Sequence, residues 1–405
     1  MTTEIRVLDG EDDLIASLNV FRASMIGIPP LSGLAPGHIT KLLEPGRTIG
    51  AFVDGQLVGT ADSATGGLTL PGGAIVGHAA VTHVGVLPSF TRKGVATDLM
   101  RHQLRDLAAR GEVVATLRAT EATIYERYGY GVASSSQNIE VQTARAALRP
   151  DVGAGGPVRL LDTTQAWDVL PRIYANNRPS RPGTLDRPEV WWEGLKLRTE
   201  SSSGPWYVAV HGEPGSESGF ARYRPVNIDK WFFSDQRAIT VEDFFAPTRE
   251  AYLGLLRFLL GLDLVDRVSF WMRPVDDPLP WLLVDRRAAR ITGVYDETWL
   301  RIIDVHQALA ARRYNGDGAV TIAVNDPILH DNSASFTVAG GGAEPTDRPA
   351  QLHIGVEGLA AALLGGTTWR SLAGARLARA DDPEALVVAD RLFAVPDAPH
   401  AGFYF

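Results

Sequence analysis

Residues 81–130 read VTHVGVLPSFTRKGVATDLMRHQLRDLAARGEVVATLRATEATIYERYGY, and this stretch decides the fold. In order, it predicts a strand, a basic turn with a glycine, an amphipathic helix, a second strand and a short aromatic helix. The first helix is predicted over residues 95–108, because apolar residues recur there at helical spacing, and Gly111 ends it. Strands joined through a crossover helix indicate an α/β sandwich.

The basic turn before the helix is a candidate anion site. Arg92 and Lys93 precede Gly94 where the helix is predicted to start. A helix N-terminus presents unpaired N–H groups and the positive end of a dipole, which suits a di-anion. A glycine lets a ligand approach the backbone closely. An ordinary basic turn that caps a helix explains the same residues, so both interpretations stay open.

Two neighbours of this turn are candidates for chemistry, each with a structural alternative. Gly85 interrupts the preceding strand, and a glycine there often marks a bulge that leaves N–H groups unpaired. Close packing is the alternative explanation for Gly85. Tyr125 is a candidate proton donor to a leaving thiolate, since a phenol titrates near pH 10. A core tyrosine with a hydrogen-bonded hydroxyl is the alternative.

Composition limits the class of protein and its partners. A chain of 405 residues is expected to form two to four domains, and three are assumed. The net charge of -8 argues against a nucleic-acid partner and is compatible with a cationic small molecule; mild acidity that serves only solubility is the alternative. No apolar run approaches the roughly 20 residues of a membrane-spanning helix, and the N-terminus does not resemble a secretory signal. We therefore expect a cytoplasmic protein with no membrane partner.

Cysteine and histidine usage excludes several kinds of site. The chain has no cysteine, so disulfides, thiolate metal sites and cysteine nucleophiles are excluded. Its nine histidines are scattered singly, without the paired spacing that places two ligands on one helical face. The sequence therefore predicts no metal site.

The rest of the chain predicts three domains, at residues 1–150, 151–292 and 293–405. In the first, a helix over residues 11–25 and a hairpin across Asp54-Gly55 precede the central stretch. The second follows a glycine-rich linker and repeats the order of strands, helix and strand. Its helix entry, residues 245–250, has no glycine turn, so a second cofactor site is not expected. A short helix over residues 282–290 then leads into the third.

The order of these pieces resembles a known fold. The VGV strand end, the TRKGVA turn, the amphipathic helix and the YERYGY segment together resemble the GCN5-related N-acetyltransferase (GNAT) fold. Residues 363–372, LLGGTTWRSL, resemble a sterol carrier protein domain. Two GNAT folds followed by such a domain are the plan of the Eis (enhanced intracellular survival) acetyltransferases. The fold class that this implies is α+β.

The resemblance implies acetyl-coenzyme A as co-substrate and a primary amine as acceptor: an aminoglycoside, a lysine side chain or a polyamine. The amine attacks the thioester directly, Tyr125 is the general acid, and the terminal carboxylate of Phe405 is the base. Thr82, His83 and Tyr404 are the implied acceptor-binding residues. The cofactor-binding residues that it implies are Val84, Gly85, Val86, Arg92, Lys93, Gly94, Val95, Ala96 and Thr97.

Two positions depart from the family pattern. Thr91 stands at the first position of the turn motif Q/R-x-x-G-x-G/A, which leaves the pyrophosphate contacts to the backbone, Arg92 and Lys93. Tyr404 stands where aminoglycoside-acetylating members carry an acidic residue, which weakens the case for a polycationic acceptor. The apolar C-terminal segment has its own alternative, an edge strand that plugs a core.

The resemblance further implies a homohexamer. A different class of protein also fits the sequence: a binding protein that holds an apolar ligand in its C-terminal domain, with a vestigial acetyltransferase site. The intact turn at residues 92–96, together with Tyr125, favours the enzyme, because a vestigial site need not retain them.

Overall fold

A computed structural model of the chain describes residues 2–28 and 37–404. The chain forms three units in sequence order. The elements of the first unit are β1 (Glu4–Val7), α1 (Glu11–Met25), α2 (Ile39–Leu42), β2 (Ile49–Val53), β3 (Gln56–Thr69), β4 (Ile75–Val86), α3 (Val95–Ala109), β5 (Val114–Leu117), α4 (Ala122–Tyr125) and β6 (Tyr130–Gln142). The predicted helix over residues 11–25 and the hairpin across Asp54-Gly55 are confirmed.

The second unit repeats the order of strands, helix and strand. Its elements are β7 (Val158–Leu161), α5 (Ala166–Asn176), α6 (Glu189–Ser201), β8 (Tyr207–His211), β9 (Gly219–Pro225), β10 (Ala238–Phe245), α7 (Arg249–Leu260), β11 (Arg267–Pro274), α8 (Leu279–Leu282) and β12 (Ala289–Ile302). In this unit β10, α7 and β11 correspond to β4, α3 and β5 of the first.

The third unit contains a separate sheet. Its elements are α9 (Val305–Ala311), β13 (Ala319–Asn325), β14 (Ser335–Ala339), β15 (Gly342–Pro345), β16 (Leu352–Gly355), α10 (Val356–Leu363), α11 (Trp369–Gly374), β17 (Ala378–Ala380) and α12 (Pro383–Phe393). The five strands lie in the order β15-β14-β13-β16-β17.

One sheet of twelve strands joins the first two units, in the order β1-β2-β3-β4-β5-β12-β6-β11-β10-β9-β8-β7. The two units exchange strands at its centre, since β12 lies between β5 and β6, and β6 pairs with β11. The pairs β4–β5 and β10–β11 are parallel. Each therefore requires a crossover, and α3 and α7 supply it.

The packing of α3 follows its sequence pattern. The apolar residues that recur at helical spacing are buried, as predicted, at Leu99, Met100, Leu104 and Leu107. The same pattern predicts a buried Ala108, and this is wrong, because Ala108 is exposed. Gln103 is buried instead. The Gln103 amide nitrogen donates a hydrogen bond to the backbone oxygen of Asp62, at 3.2 Å, which offsets part of the cost of burying this polar group.

The third unit docks onto the first through α10. A Cβ atom built at Gly131 of β6 would lie 2.0 Å from the backbone oxygen of Glu357 in α10. Only glycine allows this close approach. Every residue of α10 except Glu357 is buried, so the helix is enclosed by its own sheet and by β6 and β12.

Two expectations differ from the structure. The helix predicted over residues 282–290 is wrong: α8 ends at Leu282, and only a single 3₁₀ turn, Arg286–Ala288, follows. Proline 280 lies in the first turn of α8, where helices tolerate it because the first N–H groups have no acceptor. The domain boundary expected after residue 292 falls inside β12, so the third unit starts after Ile302. Within the described ranges, no helix is both long and apolar enough to cross a membrane.

Candidate active site

The site is built where β4 and β5 separate. Their parallel pairing runs from His78 opposite Val114 to Ala80 opposite Thr116. β4 continues to Val86 along β3, whereas β5 ends at Leu117. Beyond Ala80, the edge of β4 that faced β5 therefore borders an opening in the sheet. Val84 and Val86, two of the predicted cofactor residues, lie on this stretch.

A bulge shapes that stretch of β4. Two residues, His83 and Val84, lie opposite the single residue Ala61 of β3, and His83 has a φ of 49°. The predicted bulge is therefore present, immediately before Gly85. The packing alternative holds as well, because a Cβ at Gly85 would lie 2.3 Å from the Ser24 hydroxyl oxygen in α1. The glycine lets α1 press against the bulged strand.

The turn at the start of α3 exposes backbone donors. Arg92 and Gly94 both have left-handed backbone conformations, with φ of 60° and 92°. No side chain caps α3 among the described residues, and residues 92–94 are exposed. The Lys93 ammonium donates to the backbone oxygen of Ser89 at 2.9 Å, which holds its stem against the turn. Uncapped N–H groups beside two cations form a site for a phosphate group.

Thr97 connects this turn to the aromatic segment. Its hydroxyl oxygen lies 3.2 Å from the Tyr128 hydroxyl, within hydrogen-bond distance. Val95 is buried at the base of the turn, and Ala96 and Thr97 are half-buried. The start of α3 and the segment that carries Tyr125 are therefore held in one arrangement.

Tyr125 is buried beside the opening. It packs in the same hydrophobic cluster as Val81 and against the edge of Tyr130, at 5.9 Å between ring centroids. Burial raises the pKa of Tyr125 to about 12, and Tyr128 and Tyr404 add to the shift. No hydrogen bond to its hydroxyl is found within residues 2–28 and 37–404. Among the described residues, Tyr125 therefore lacks the hydrogen-bonded hydroxyl that the alternative of a core tyrosine requires.

The C-terminal segment is anchored beside this opening by Glu297 of β12. The Glu297 carboxylate accepts hydrogen bonds from the backbone N–H groups of Ala401 and Gly402, both at 3.1 Å. It also accepts one from the Ser134 hydroxyl at 2.8 Å. Two basic side chains face it: the His400 ring nitrogen Nδ1 lies 3.0 Å from Oε1, and the Arg118 guanidinium lies 3.6 Å from the same oxygen.

This anchor is charged and fully buried. Burial alone would raise the pKa of Glu297, but the charges of His400 and Arg118, with the hydrogen bond from Ser134, outweigh it and hold that pKa far below its ordinary value. Arg118 also donates to the backbone oxygen of Phe403. One buried carboxylate and one arginine therefore fix the path of the last residues.

Aromatic side chains of the second unit hold the tail from the other side. The Phe403 ring packs on Trp191 at 4.5 Å between centroids, and the Arg187 guanidinium lies 4.4 Å from its face. Residues 394–404 form no strand, so the alternative of a terminal edge strand is wrong for them. Phe405, the predicted source of the base, lies outside the described residues. Tyr404 is 58% exposed.

A cavity of about 260 Å³ lies between α1 and α6, that is, between the first and second units. Thr82 and His83, for which the sequence predicts an acceptor-binding role, both line it. His83 Nδ1 lies 3.3 Å from the buried carboxylate of Asp62, and Phe21 packs edge-on against the imidazole. Tyr404 lines a neighbouring cavity of about 310 Å³ instead.

The second unit has the same opening, but it is filled. The parallel pairing of β10 and β11 ends at Val241 opposite Phe270, although β10 continues to Phe245. The Arg273 guanidinium donates to the backbone oxygen of Phe244 at 3.0 Å and is paired with the buried Asp277 at 2.8 Å. The Thr248 hydroxyl caps α7. The described contacts therefore leave this opening without the unpaired donors found in the first unit.

Sequence reasoning missed Glu297 and the two arginines that line the cavity between α1 and α6, Arg22 and Arg198. None of them belongs to a motif, and their roles arise only from contacts between distant segments.

Comparisons with known proteins agree with this architecture. Residues 5–133 and 183–302 each match a family described as an acetyltransferase (GNAT) domain, and residues 305–402 match a sterol carrier protein domain. An uncharacterized N-acetyltransferase of Streptomyces avermitilis is 34% identical over 399 residues, covering 96% of this chain and 94% of that protein. The N-acetyltransferase Eis of Mycobacterium tuberculosis is 32% identical over 368 residues, covering 88% of each. The crystal structure of Eis1 from Mycobacterium abscessus has a TM-score of 0.91 and 43% identity, covering 99% of this chain and 100% of that one.

Proposed function

Because this chain belongs to the Eis family of N-acetyltransferases, with two GNAT domains and a C-terminal sterol carrier protein domain, we propose that it acetylates a primary amine in the opening between β4 and β5. The similarity to Eis and the three domain matches confirm the predicted family and the predicted order of two GNAT domains and a sterol carrier protein domain. The co-substrate of GNAT enzymes is acetyl-coenzyme A. The acceptor, the catalytic residues and the assembly are our proposals.

The residues of the opening suit coenzyme A. The uncapped N-terminus of α3, with Arg92 and Lys93 beside it, offers N–H donors and two cations to the pyrophosphate. The freed edge of β4 offers its backbone to the pantetheine arm. We assign the N–H groups of Val84 and Val86 to this edge: one polarises the thioester carbonyl, as an oxyanion donor does, and the other holds the arm.

Tyr125 is the proposed general acid. The amine attacks the thioester carbonyl carbon, the C–S bond breaks, and the sulfur receives the phenolic proton. A pKa of about 12 keeps this phenol protonated at neutral pH, so it is always ready to donate a hydrogen bond. The same value makes full proton transfer to a free thiolate unfavourable.

The terminal carboxylate of Phe405 is the proposed base. It accepts the proton that the amine loses, directly or through a water molecule. The observation that supports this role is the buried anchor at Glu297, which holds residues 400–402 beside the opening. Tails of most domains are poorly ordered unless something ties them down.

Release of free thiol from acetyl-coenzyme A in the presence of primary amines tests the proposal. Wild-type protein should turn over at least one amine, and Tyr125→Phe should lower kcat about 100-fold or more, without changing the Kd for coenzyme A. Tyr295→Phe, at an exposed tyrosine, is the matched control. An unchanged rate in Tyr125→Phe would remove this residue from the mechanism.

A C-terminal extension tests the carboxylate. Five extra residues after Phe405 should abolish activity while leaving the unfolding temperature unchanged, and the same five residues at the N-terminus should be harmless. Full activity of the C-terminally extended protein would show that another group is the base.

We further propose that the protein acts in the cytoplasm as a homohexamer. The support from the structure is exposed aromatic surface: Phe232 is 86% exposed and Phe233 is 93% exposed. Adjacent exposed aromatic rings indicate a protein interface. The number of subunits rests on the family alone.

A further inference from the structure

The acceptor cavity between α1 and α6 has an unusual charge arrangement. Its walls are mostly apolar, with Leu18, Phe21 and Trp191 among them, yet Arg22 and Arg198 also line it. Within the described part of the chain, neither arginine has an ion pair. The Nε group of Arg22 is buried and has no hydrogen-bond partner there. A buried donor left without a partner is costly, so a ligand group that supplies one is favoured.

The carboxylates of the cavity are already engaged. Asp62 faces His83 Nδ1 and accepts a hydrogen bond from the Thr48 hydroxyl at 3.1 Å. The Glu44 carboxylate accepts from the backbone and the hydroxyl of Thr65, at 2.6 and 2.7 Å, and pairs with Arg47. Among the described residues that line the cavity, the two charged side chains without an ion pair are therefore both arginines.

Arg198 is the second positive charge of the cavity with which a bound anion could pair. Arg198 is exposed to solvent overall, and it lines both this cavity and its neighbour. Burial lowers the pKa of Arg198, and the nearby charge of Arg222 lowers it further. A bound anion would offset both effects, since it stabilises the charged guanidinium. An acceptor with a second ammonium group at this position would instead place a third positive charge beside Arg22 and Arg198.

We infer that the acceptor is a primary monoamine with an apolar body and an anionic group, such as a carboxylate, at its far end, and that Arg22 and Arg198 select it. The inference rests on the proposed acetyltransferase function and names the substrate class of the same site. The amine would lie toward Thr82 and His83, at the β4 end of the cavity. The hydrocarbon would pack on the aromatic walls, and the anion would pair with the arginines.

Three acceptors that differ only at the far end test the inference on the full-length protein. These are 6-aminohexanoate, hexylamine and 1,6-diaminohexane, compared by thiol release from acetyl-coenzyme A. The comparison is repeated for chains of four to eight carbons, so that a poor fit in length cannot mask the effect of charge. We expect kcat/KM to be highest for the amino acid and lowest for the diamine, with about tenfold or more between them.

Variants assign the preference to the two arginines. Arg198→Gln and Arg22→Gln should each lower kcat/KM for the amino acid about tenfold and leave that for the alkylamine within about twofold, because only the charged end is recognised there. Arg198→Glu should favour the diamine. Arg348→Gln, in the third unit and exposed, is the matched control.

The outcomes separate this inference from the proposed function. Turnover of the amines with a preference for the diamine, or with equal effects of the variants on all three acceptors, would overturn the inference and leave the acetyltransferase proposal intact. An absence of thiol release with every amine would overturn the proposed function and this inference with it.

Discussion

Glu297→Gln should release the C-terminal tail while leaving the cofactor site intact. The substitution keeps the shape of the side chain and removes its charge, so Arg118 and His400 lose their shared buried counter-charge. The new amide group also faces the N–H groups of Ala401 and Gly402, which need an acceptor. Loss of one partner from a buried ion pair costs about 3–5 kcal/mol. Detachment of the tail is the local response that relieves this cost.

Hydrogen exchange of the tail amides measures that response. Since about 1.4 kcal/mol is a factor of ten, protection of the amides at residues 401 and 402 should fall about 100-fold or more. The kcat should fall with it, while the Kd for coenzyme A stays unchanged. Glu344→Gln, at an exposed glutamate of β15, is the control and should alter neither quantity. Tail protection within about threefold of wild type, or an equal effect of the control, would refute the role of Glu297 as anchor.

Three further predictions address stability and assembly. Burial, with Arg47 and Arg178 nearby, lowers the pKa of His78 from 6.5 to about 3, so the unfolded chain binds its proton first as the pH falls below 6.5. Urea unfolding should therefore show about 2 kcal/mol less stability from this group at pH 5 than at pH 8, and His78→Gln should remove that part of the pH dependence. Gly131→Ala should lower the unfolding temperature, because the added Cβ meets a backbone oxygen of α10 at 2.0 Å, whereas Gly374→Ala has open space and should not. Replacing Phe232 and Phe233 together by serine should reduce the mass measured by light scattering without unfolding the chain; an unchanged mass would exclude these rings from the interface.

The sequence predicted the parts of the fold that depend on local pattern. The helix α1 could be bounded because acidic residues start it and apolar residues recur at helical spacing. The turn before α3 and its glycine could be recognised because a left-handed conformation restricts the choice of residue. The limits of β12 could not be predicted from local pattern, because a strand at the centre of a shared sheet is defined by its partners, here β5 and β6.

The site was predictable only where it consists of consecutive residues. Glu297 binds Ser134, 163 residues away, and Ala401, 104 residues away, so no local pattern reports its role. The acceptor cavity is likewise shared between two units, and the significance of Arg22 and Arg198 depends on carboxylates that other partners already occupy. Such features arise from tertiary contacts and become visible only in the folded chain.

The central claim is that one opening, in the first unit, binds the acetyl donor. Calorimetric titration of the full-length protein with coenzyme A tests it most directly, with the doubly charge-reversed variant Arg92→Glu/Lys93→Glu titrated alongside. The proposed site predicts one coenzyme A per chain and a Kd that rises about tenfold or more in the variant. Two sites per chain, or an unchanged Kd in the variant, would contradict it.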